Sequence, residues 1–513
     1  MKKIPVIHPL LFAISPILIL YTQNVNHVPV SEIFLPAIAA ILFAILLWSF
    51  LILVFKEKKK SGFIVSLFFI LFFSFGHIYN SIRYLYIGDI KIGRAGYLLV
   101  AIGLLLISAT IFAIKSRSNF NHITKFLNLS AAFLVLFPII MSAYGIFTRK
   151  NFRIESEVTS SKLETPGNLP DIYYIVLDAY AGSDVLKEFY NYDNSKFLEN
   201  LSQKGFYIAN KSRANYCRTI LSLASSMNMV YLDDLSKRVG EEGKDLFPLI
   251  NMIRHNEVAK FLQTEGYKFV SFATGFSKTE IKNADIYISK PGLLSEFQNV
   301  LLNITPIPIM LKEIIDQHEL HRDRLLFTFK SLSEIPHMKS PKFVLAHILA
   351  PHPPFVFGNN GEAIKSDRPF YFRRGNTRLN GSEKEEYMEK YKNQLSFINN
   401  KLQETIGTIL SHSAEPPIII LQGDHGPGAM LDYDSLENTN LKERMSILNA
   451  FYLPQNGQKE LYDNITPVNS FRVIFNHYFG TNLNLLNDKN YFSTWNRPFK
   501  FFDVTDKSDV IED

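Results

Sequence analysis

The stretch Pro416-Pro-Ile-Ile-Ile-Leu-Gln-Gly-Asp-His-Gly-Pro-Gly428 decides how this chain folds. Residues 418–421 are an unbroken apolar run, mostly β-branched. Such a run reads as a buried strand, parallel and covered on both faces. It stops at Gln422-Gly423 and delivers Asp424 and His425 side by side. Gly426 and Gly428 are expected to let the backbone turn sharply after them. Open α/β sheets place ligands at the carboxyl ends of their strands. A carboxylate and an imidazole there suit a zinc- or manganese-like ion. Taken alone, Asp-His-Gly reads equally well as a polar turn after a core strand.

Outward from this stretch, strand and helix patterns alternate. Residues 171–178, Asp-Ile-Tyr-Tyr-Ile-Val-Leu-Asp, form a strand pattern ending in an acid. Residues 268–272, 342–349 and 448–453 read as further strands. Helical patterns cover 183–204, 258–265, 384–410 and 468–479, and 359–380 reads as an irregular loop. Alternation of this kind predicts an α/β domain with a mostly parallel sheet and helices on both faces.

The first third of the chain is different. Apolar stretches lie at 7–21, 33–55, 62–78, 96–114 and 126–147. Several reach the roughly 20 residues that cross a hydrocarbon core. About five transmembrane helices are therefore expected in residues 1–150, with the first, which contains Pro9 and Pro16, the weakest. Lys56 and Lys58-Lys59-Lys60 flank one turn, and Lys115, Arg117 and Lys125 another, whereas the connection at 23–31 has no Lys or Arg. The positive-inside rule puts the N-terminus in the cytoplasm and everything after residue 147 outside. Arg83, Lys91, Arg94, Arg149, Lys150 and Arg153 run against this bias. Residues 151–170, rich in Ser, Thr and Glu and closing on Pro-Gly and Pro, read as a linker. Residues 171–513 then form an extracytoplasmic domain.

The net charge of +6 is modest and clusters beside the apolar segments. This fits membrane flanks and gives no nucleic-acid footprint. The single cysteine, Cys217, excludes an intrachain disulfide and a multi-cysteine zinc site.

Four further positions carry chemistry. Asp178 ends its strand as a metal ligand or as a turn former before Gly182-Ser183-Asp184. Asn215-Tyr-Cys-Arg-Thr-Ile-Leu-Ser222 reads as a helix start, where free N–H groups and the dipole favour an alkoxide or a phosphate. Thr219 is the candidate nucleophile there, with Ser222 one turn on as packing. In His347-Ile-Leu-Ala-Pro-His-Pro-Pro-Phe355, His347 reads either as a core histidine or as a functional one. His352, held between prolines, suits substrate contact or proton transfer.

Asp178, Thr219-Ile-Leu-Ser-Leu, the Pro-His-Pro turn and Asp424-His425-Gly follow the order seen in the alkaline phosphatase/sulfatase superfamily. The chain resembles the membrane-anchored sulfatase-like catalytic domains of lipoteichoic acid synthase and of lipid A phosphoethanolamine transferases. The resemblance implies an alkaline-phosphatase-like domain behind an N-terminal transmembrane bundle. It implies one divalent ion, zinc or manganese, on Asp178, Thr219, Asp424 and His425, with Thr219 as nucleophile and His352 at the substrate. Two departures stand out. The first acid is Asp where those transferases have Glu, and no Asp-x-x-x-His pattern for a second metal is visible.

Three functions follow. The first is a phospho-group transferase that works at the lipid bilayer on a phospholipid or phospho-glycan substrate. The second is a sulfatase or phosphatase. Sulfatase maturation needs Cys/Ser-x-Pro/Ala-x-Arg, and here Thr219 and Leu221 occupy the Pro/Ala and Arg places after Cys217. The third is a non-catalytic receptor on a hydrolase fold, against which the retained ligand set argues.

Overall fold

A computed structural model describes residues 4–83, 85–87, 90–148, 169–311, 316–365, 370 and 379–507. The chain divides into two compact units, Met1–Lys150 with Leu294–Asp316, and Asn151–Leu293 with Gln317–Asp513. All but the last two residues of the expected linker, 151–170, lie outside the described residues, as do most of 359–380.

The first unit is helical. Its N-terminal helices are α1 (His8–Gln23), α2 (Ser31–Phe55), α3 (Lys58–Ile82), α4 (Ala95–Lys115) and α5 (Asn121–Phe147). Four of the five, α2 to α5, are long and apolar enough to cross a membrane. The helix α1 has 16 residues, short of a full span. Large apolar side chains such as Leu46, Leu53, Val100 and Phe133 point outward. A helix can be apolar all round in this way when lipid, not water, surrounds it. The two basic turns meet: Lys60 Nζ donates to the carbonyl of Ser116 at 3.0 Å, and Lys59 bonds Asn121. Both turns therefore lie at one end of the bundle.

The second unit is built on a seven-stranded sheet. Its strands are β1 (Ile172–Leu177), β2 (Tyr207–Ile208), β3 (Lys268–Phe272), β4 (Ile286–Ile288), β5 (Lys342–Ile348), β6 (Ile418–Gly423) and β7 (Asn449–Tyr452). The order is β2-β7-β6-β1-β5-β3-β4. The strands β6, β1, β5, β3 and β4 run parallel, and β7 and β2 add antiparallel at one edge. Every residue of β1, β5 and β6 is buried, which is why these strands read as continuous apolar runs. Each buried Ile or Leu side chain there contributes about 1.5–3 kcal/mol relative to exposure. At the amino ends, buried Asp171 accepts from Lys342 Nζ at 2.5 Å and from its backbone N–H at 3.1 Å, pinning β1 to β5.

The pleat sorts the two faces. Ile172, Tyr174 and Val176 of β1, Phe343 and Leu345 of β5, and Ile418 and Ile420 of β6 enter one core, with the helix α6 (Thr219–Ser226). The alternate residues enter the other, against the 32-residue helix α9 (Gly381–His412).

Candidate metal centre

Register fixes where the acids fall. Leu177 pairs with Gly423 of β6 and with Ile348 of β5. Asp178 and Asp424, one residue beyond, therefore emerge side by side. Both continue the alternation of Val176 and Gln422, and His347 pairs directly with Val176. All three therefore have the parity of the face that carries α6.

The backbone after β1 is bent to serve this arrangement. Ala179 has φ of +63°, a strained conformation for a residue with a Cβ. Its N–H donates to Asp424 Oδ1 at 3.0 Å, and its carbonyl accepts from the Tyr391 hydroxyl at 2.8 Å. The His425 N–H also donates to Asp424 Oδ1, at 2.9 Å. One carboxylate oxygen is thus saturated and the other, Oδ2, is aimed elsewhere.

The chain bends at Asp424 and His425, directly after the strand, and neither Gly426 nor Gly428 has positive φ. The requirement at Gly426 is close approach, since a Cβ there would lie 1.9 Å from the Glu443 carbonyl oxygen. Gly428 makes only ordinary van der Waals contacts.

The imidazole tautomer follows from the hydrogen bonds. His425 Nδ1 lies 2.9 Å from the Gly426 carbonyl, which can only accept. Nδ1 therefore carries the hydrogen, and in the neutral ring Nε2 keeps a lone pair. Burial, helped by the nearby Arg444 guanidinium, holds the pKa of His425 well below its usual value. The ring is neutral. Its Nε2 lies 2.9 Å from Thr219 Oγ1, 3.3 Å from Asp424 Oδ2 and 3.8 Å from Asp178 Oδ1.

Three buried polar atoms here have no hydrogen-bond partner: Asp178 Oδ1, Asp424 Oδ2 and His347 Nε2. Leaving such atoms unpaired is costly. Ligand atoms of the same three residues lie within 4.8 Å of one another. A divalent cation relieves all three at once, and the donors are carboxylate oxygen and imidazole nitrogen with no thiolate. The residues present fit a metal ion.

The two carboxylates titrate in opposite directions. Burial alone pushes the Asp178 carboxyl up, but the neighbouring His352 and His347 more than reverse this and hold it below the usual range. Burial and the Asp178 charge push Asp424 up to about 7. Without an ion, one negative charge and one proton are shared across the pair, with the charge on Asp178.

The expected site residues Asp178, Thr219, Asp424 and His425 come together at this point. Thr219 is the first residue of α6, as the sequence suggests. Ser222 donates to the carbonyls of Tyr216, at 3.1 Å, and Asp424, at 2.6 Å, so it fastens α6 to the Asp424 loop. Cys217 is buried, with Sγ set between the carbonyl and the N–H of Ser493. The backbone N–H of His352 donates to the Asp178 carbonyl at 3.1 Å, while its ring is partly exposed with Nδ1 on the Pro353 carbonyl.

Three residues that hold this geometry have no motif to announce them. Arg444 Nε donates to the Cys217 carbonyl at 2.8 Å and Nη1 to the Gly426 carbonyl at 2.7 Å, tying the Thr219 helix to the His425 loop. Gln394 of α9 clamps the His352 turn: Nε2 donates to the Pro351 and His352 carbonyls, and Oε1 accepts from the Val356 N–H at 2.8 Å. Thr279 Oγ1 sits 3.1 Å from His347 Nδ1 and orients that ring. Beside Thr219, the Arg218 guanidinium lies 4.3 Å from the centroid of the Trp495 ring, with Lys278 Nζ 5.7 Å from the same centroid. The strand parity of His347 was the one available signal for the metal-facing set.

No family model and no curated protein matches the chain. Among solved structures it is similar to the zinc-complexed C-terminal periplasmic domain of EcEptC from Escherichia coli, at 11% identity and a TM-score of 0.43, covering 69% of this chain and 97% of that one. The C-terminal periplasmic domain of the phosphoethanolamine transferase EptC from Campylobacter jejuni is similar at 12% identity and a TM-score of 0.38, covering 60% and 89%. The 2-O GAG sulfatase BT1596 is similar at 12% identity and a TM-score of 0.40, covering 62% and 72%.

Proposed function

We propose that this protein is a membrane-anchored, metal-dependent phospho-group transferase whose nucleophile is Thr219. The observation that carries the reading is the Thr219 hydroxyl, 2.9 Å from His425 Nε2 at a helix start, beside three unpaired ligand atoms. The domain organisation is a transmembrane region in 1–150, a linker in 151–170 and an extracytoplasmic catalytic domain in 171–513.

Asp178, Asp424 and His425 would hold the ion, with His347 as a further donor on Asp178's side and Thr219 completing the set. Zinc and manganese both suit these donors. A divalent ion bound there would lower the pKa of the threonine hydroxyl and polarise a phosphoryl oxygen.

The chain's own residues supply the rest. Thr219 gives up its hydroxyl proton to solvent, its alkoxide Oγ attacks phosphorus, an O–P bond forms, and the bond from phosphorus to the lipid alkoxide breaks. The leaving alkoxide takes a proton from His352. Its Nδ1 hydrogen is held by the Pro353 carbonyl, so Nε2 is the nitrogen that exchanges protons. An acceptor hydroxyl on an envelope lipid or glycan then gives its proton to His352, bonds to phosphorus and displaces Thr219 as the alkoxide from which the next cycle starts. The N–H groups at the start of α6 face the phosphoryl oxygens, and Arg218 and Lys278 give this side a positive charge.

Sulfatase chemistry at Cys217 is disfavoured, because its sulfur is buried between the carbonyl and the N–H of Ser493. The test is incubation of the full-length protein with phospholipid vesicles, followed by intact-mass measurement. A covalent phospho-adduct is expected, and it should be absent in Thr219→Ala.

A further inference from the structure

Between β4 and the helix α8 (Gln317–Glu334), the chain of the catalytic domain leaves the sheet, and Leu294–Asp316 groups with the N-terminal unit. This insertion opens with the helix α7 (Glu296–Asn303), which is closed by a capping box between Ser295 and Gln298. Its apolar face is committed: Phe297 and Leu301 are buried with Phe12, Ile17, Phe69 and Phe73. The contact is also made by backbone. Gly76 N–H of α3 donates to the Ile304 carbonyl at 2.9 Å, and a Cβ at Gly76 would lie 2.2 Å from the Asn303 carbonyl oxygen. Ser295 Oγ donates to Glu32 of α2 at 2.6 Å.

These contacts have a definite depth. Glu32 is in the first turn of α2, at the end remote from the basic turn at 56–60. Gly76 lies 18 residues beyond Lys58 in α3. At 1.5 Å per residue this is about 27 Å along the helix, close to the roughly 30 Å of a hydrocarbon core. The insertion is therefore docked one membrane thickness from the cytoplasmic lysines, at the opposite interface. There it exposes a second apolar set: Met310 is 66% exposed and Val300 40%, joined by Ile309 and Leu311. With eight residues, α7 cannot cross a bilayer.

We propose that Leu294–Leu311 is an interfacial membrane element, with Val300, Ile309, Met310 and Leu311 seated among the phospholipids of the extracytoplasmic leaflet. Lipid is what covers the apolar N-terminal helices at the depth where the insertion is anchored, and it is the occupant that suits this exposed apolar set. The bilayer contact of this protein thus extends beyond residues 1–150 into the middle of the catalytic chain. The inference rests on the membrane reading of the N-terminal helices and is independent of the transfer chemistry.

The test is spin-label accessibility in the full-length protein, reconstituted in phosphatidylethanolamine–phosphatidylglycerol vesicles. Met310→Cys and Val300→Cys carry the label, with Leu485→Cys, an exposed apolar position of the catalytic unit, as reference. The native Cys217 is buried and stays unlabelled. Oxygen collisions should exceed those of a water-soluble nickel complex at both insertion sites, with a ratio several-fold above that at Leu485. A ratio equal to Leu485 overturns the proposal, as does a label shielded from both reagents, which would mean a protein partner. If one cysteine variant fails to fold, the other carries the same expectation, and neither readout involves turnover.

Discussion

The Thr219 hydroxyl and His425 Nε2 lie 2.9 Å apart although 206 residues separate them in the chain. Two devices produce the contact. The parallel register of β1 and β6 brings His425 to the end of the sheet, and Arg444 spans from the Cys217 carbonyl to the Gly426 carbonyl. The ligand cluster and Thr219 are therefore one construction, and disturbing either strand end or the Arg444 brace should be felt at both.

Removing a ligand should remove the ion. Asp424→Asn and His425→Ala are expected to lose bound metal and activity while the purified protein stays folded, since both residues lie beyond β6 and outside the apolar core. His347→Ala should be milder, weakening metal affinity about 10–100-fold, as loss of an orienting or peripheral donor does. Elemental analysis after dialysis reads both outcomes, and full metal content in Asp424→Asn would contradict the site.

Arg444 makes charge-assisted hydrogen bonds to the Cys217 and Gly426 carbonyls. Arg444→Met should destabilise the catalytic domain by about 1.5–3 kcal/mol, the range for hydrogen bonds to a charged group. Denaturant unfolding followed by tryptophan fluorescence reports it, because Trp495 lies in that domain. A variant of wild-type stability would show that the brace is idle.

Metal affinity should depend on pH through Asp424. Its carboxyl is raised to about 7 in the metal-free protein, so below that pH an ion must displace a proton. Affinity should fall about tenfold per pH unit on acidification below 7 and level off above it. The same proton favours the metal-free fold at low pH, and that contribution is lost as pH rises through 7. Titration with a competing chelator between pH 5 and 8 measures the slope; a flat profile would contradict the assignment.

Much of this was legible in the sequence, for identifiable reasons. The strand at 418–421 and the Asp178 strand are buried on both faces, so their apolar runs are unambiguous. Membrane helices exposed to lipid are apolar on all sides and equally plain. The short α1 is harder, because composition shows apolar character but length decides whether it spans. The expected helix at 183–204 is two helices, Ser183–Tyr190 and Ser195–Gln203, parted at Asn191, which has positive φ. His347 remained ambiguous because one residue cannot reveal what its neighbouring strand places opposite it. Arg444 and Gln394 act through backbone carbonyls and N–H groups, which leave no side-chain pattern to read. The insertion at Leu294–Asp316 was invisible because its partners, Gly76 and Glu32, are more than 200 residues away.

Orientation rests on the two basic turns, which the Lys60–Ser116 bond places together. A reporter fused after Asp513 should read extracytoplasmic whether or not α1 spans, because α2–α3 and α4–α5 each return the chain to the same side. A cytoplasmic reading would remove access to a donor in the outer leaflet.

The central claim is that Thr219 takes the phospho-group. Peptide mapping of the adduct trapped after incubation with phospholipid vesicles tests it most directly. The mass increment should fall on Thr219, disappear in Thr219→Ala and persist in Cys217→Ser, whose sulfur is turned toward Ser493. A modification on Cys217, or a formylglycine there, would contradict the account.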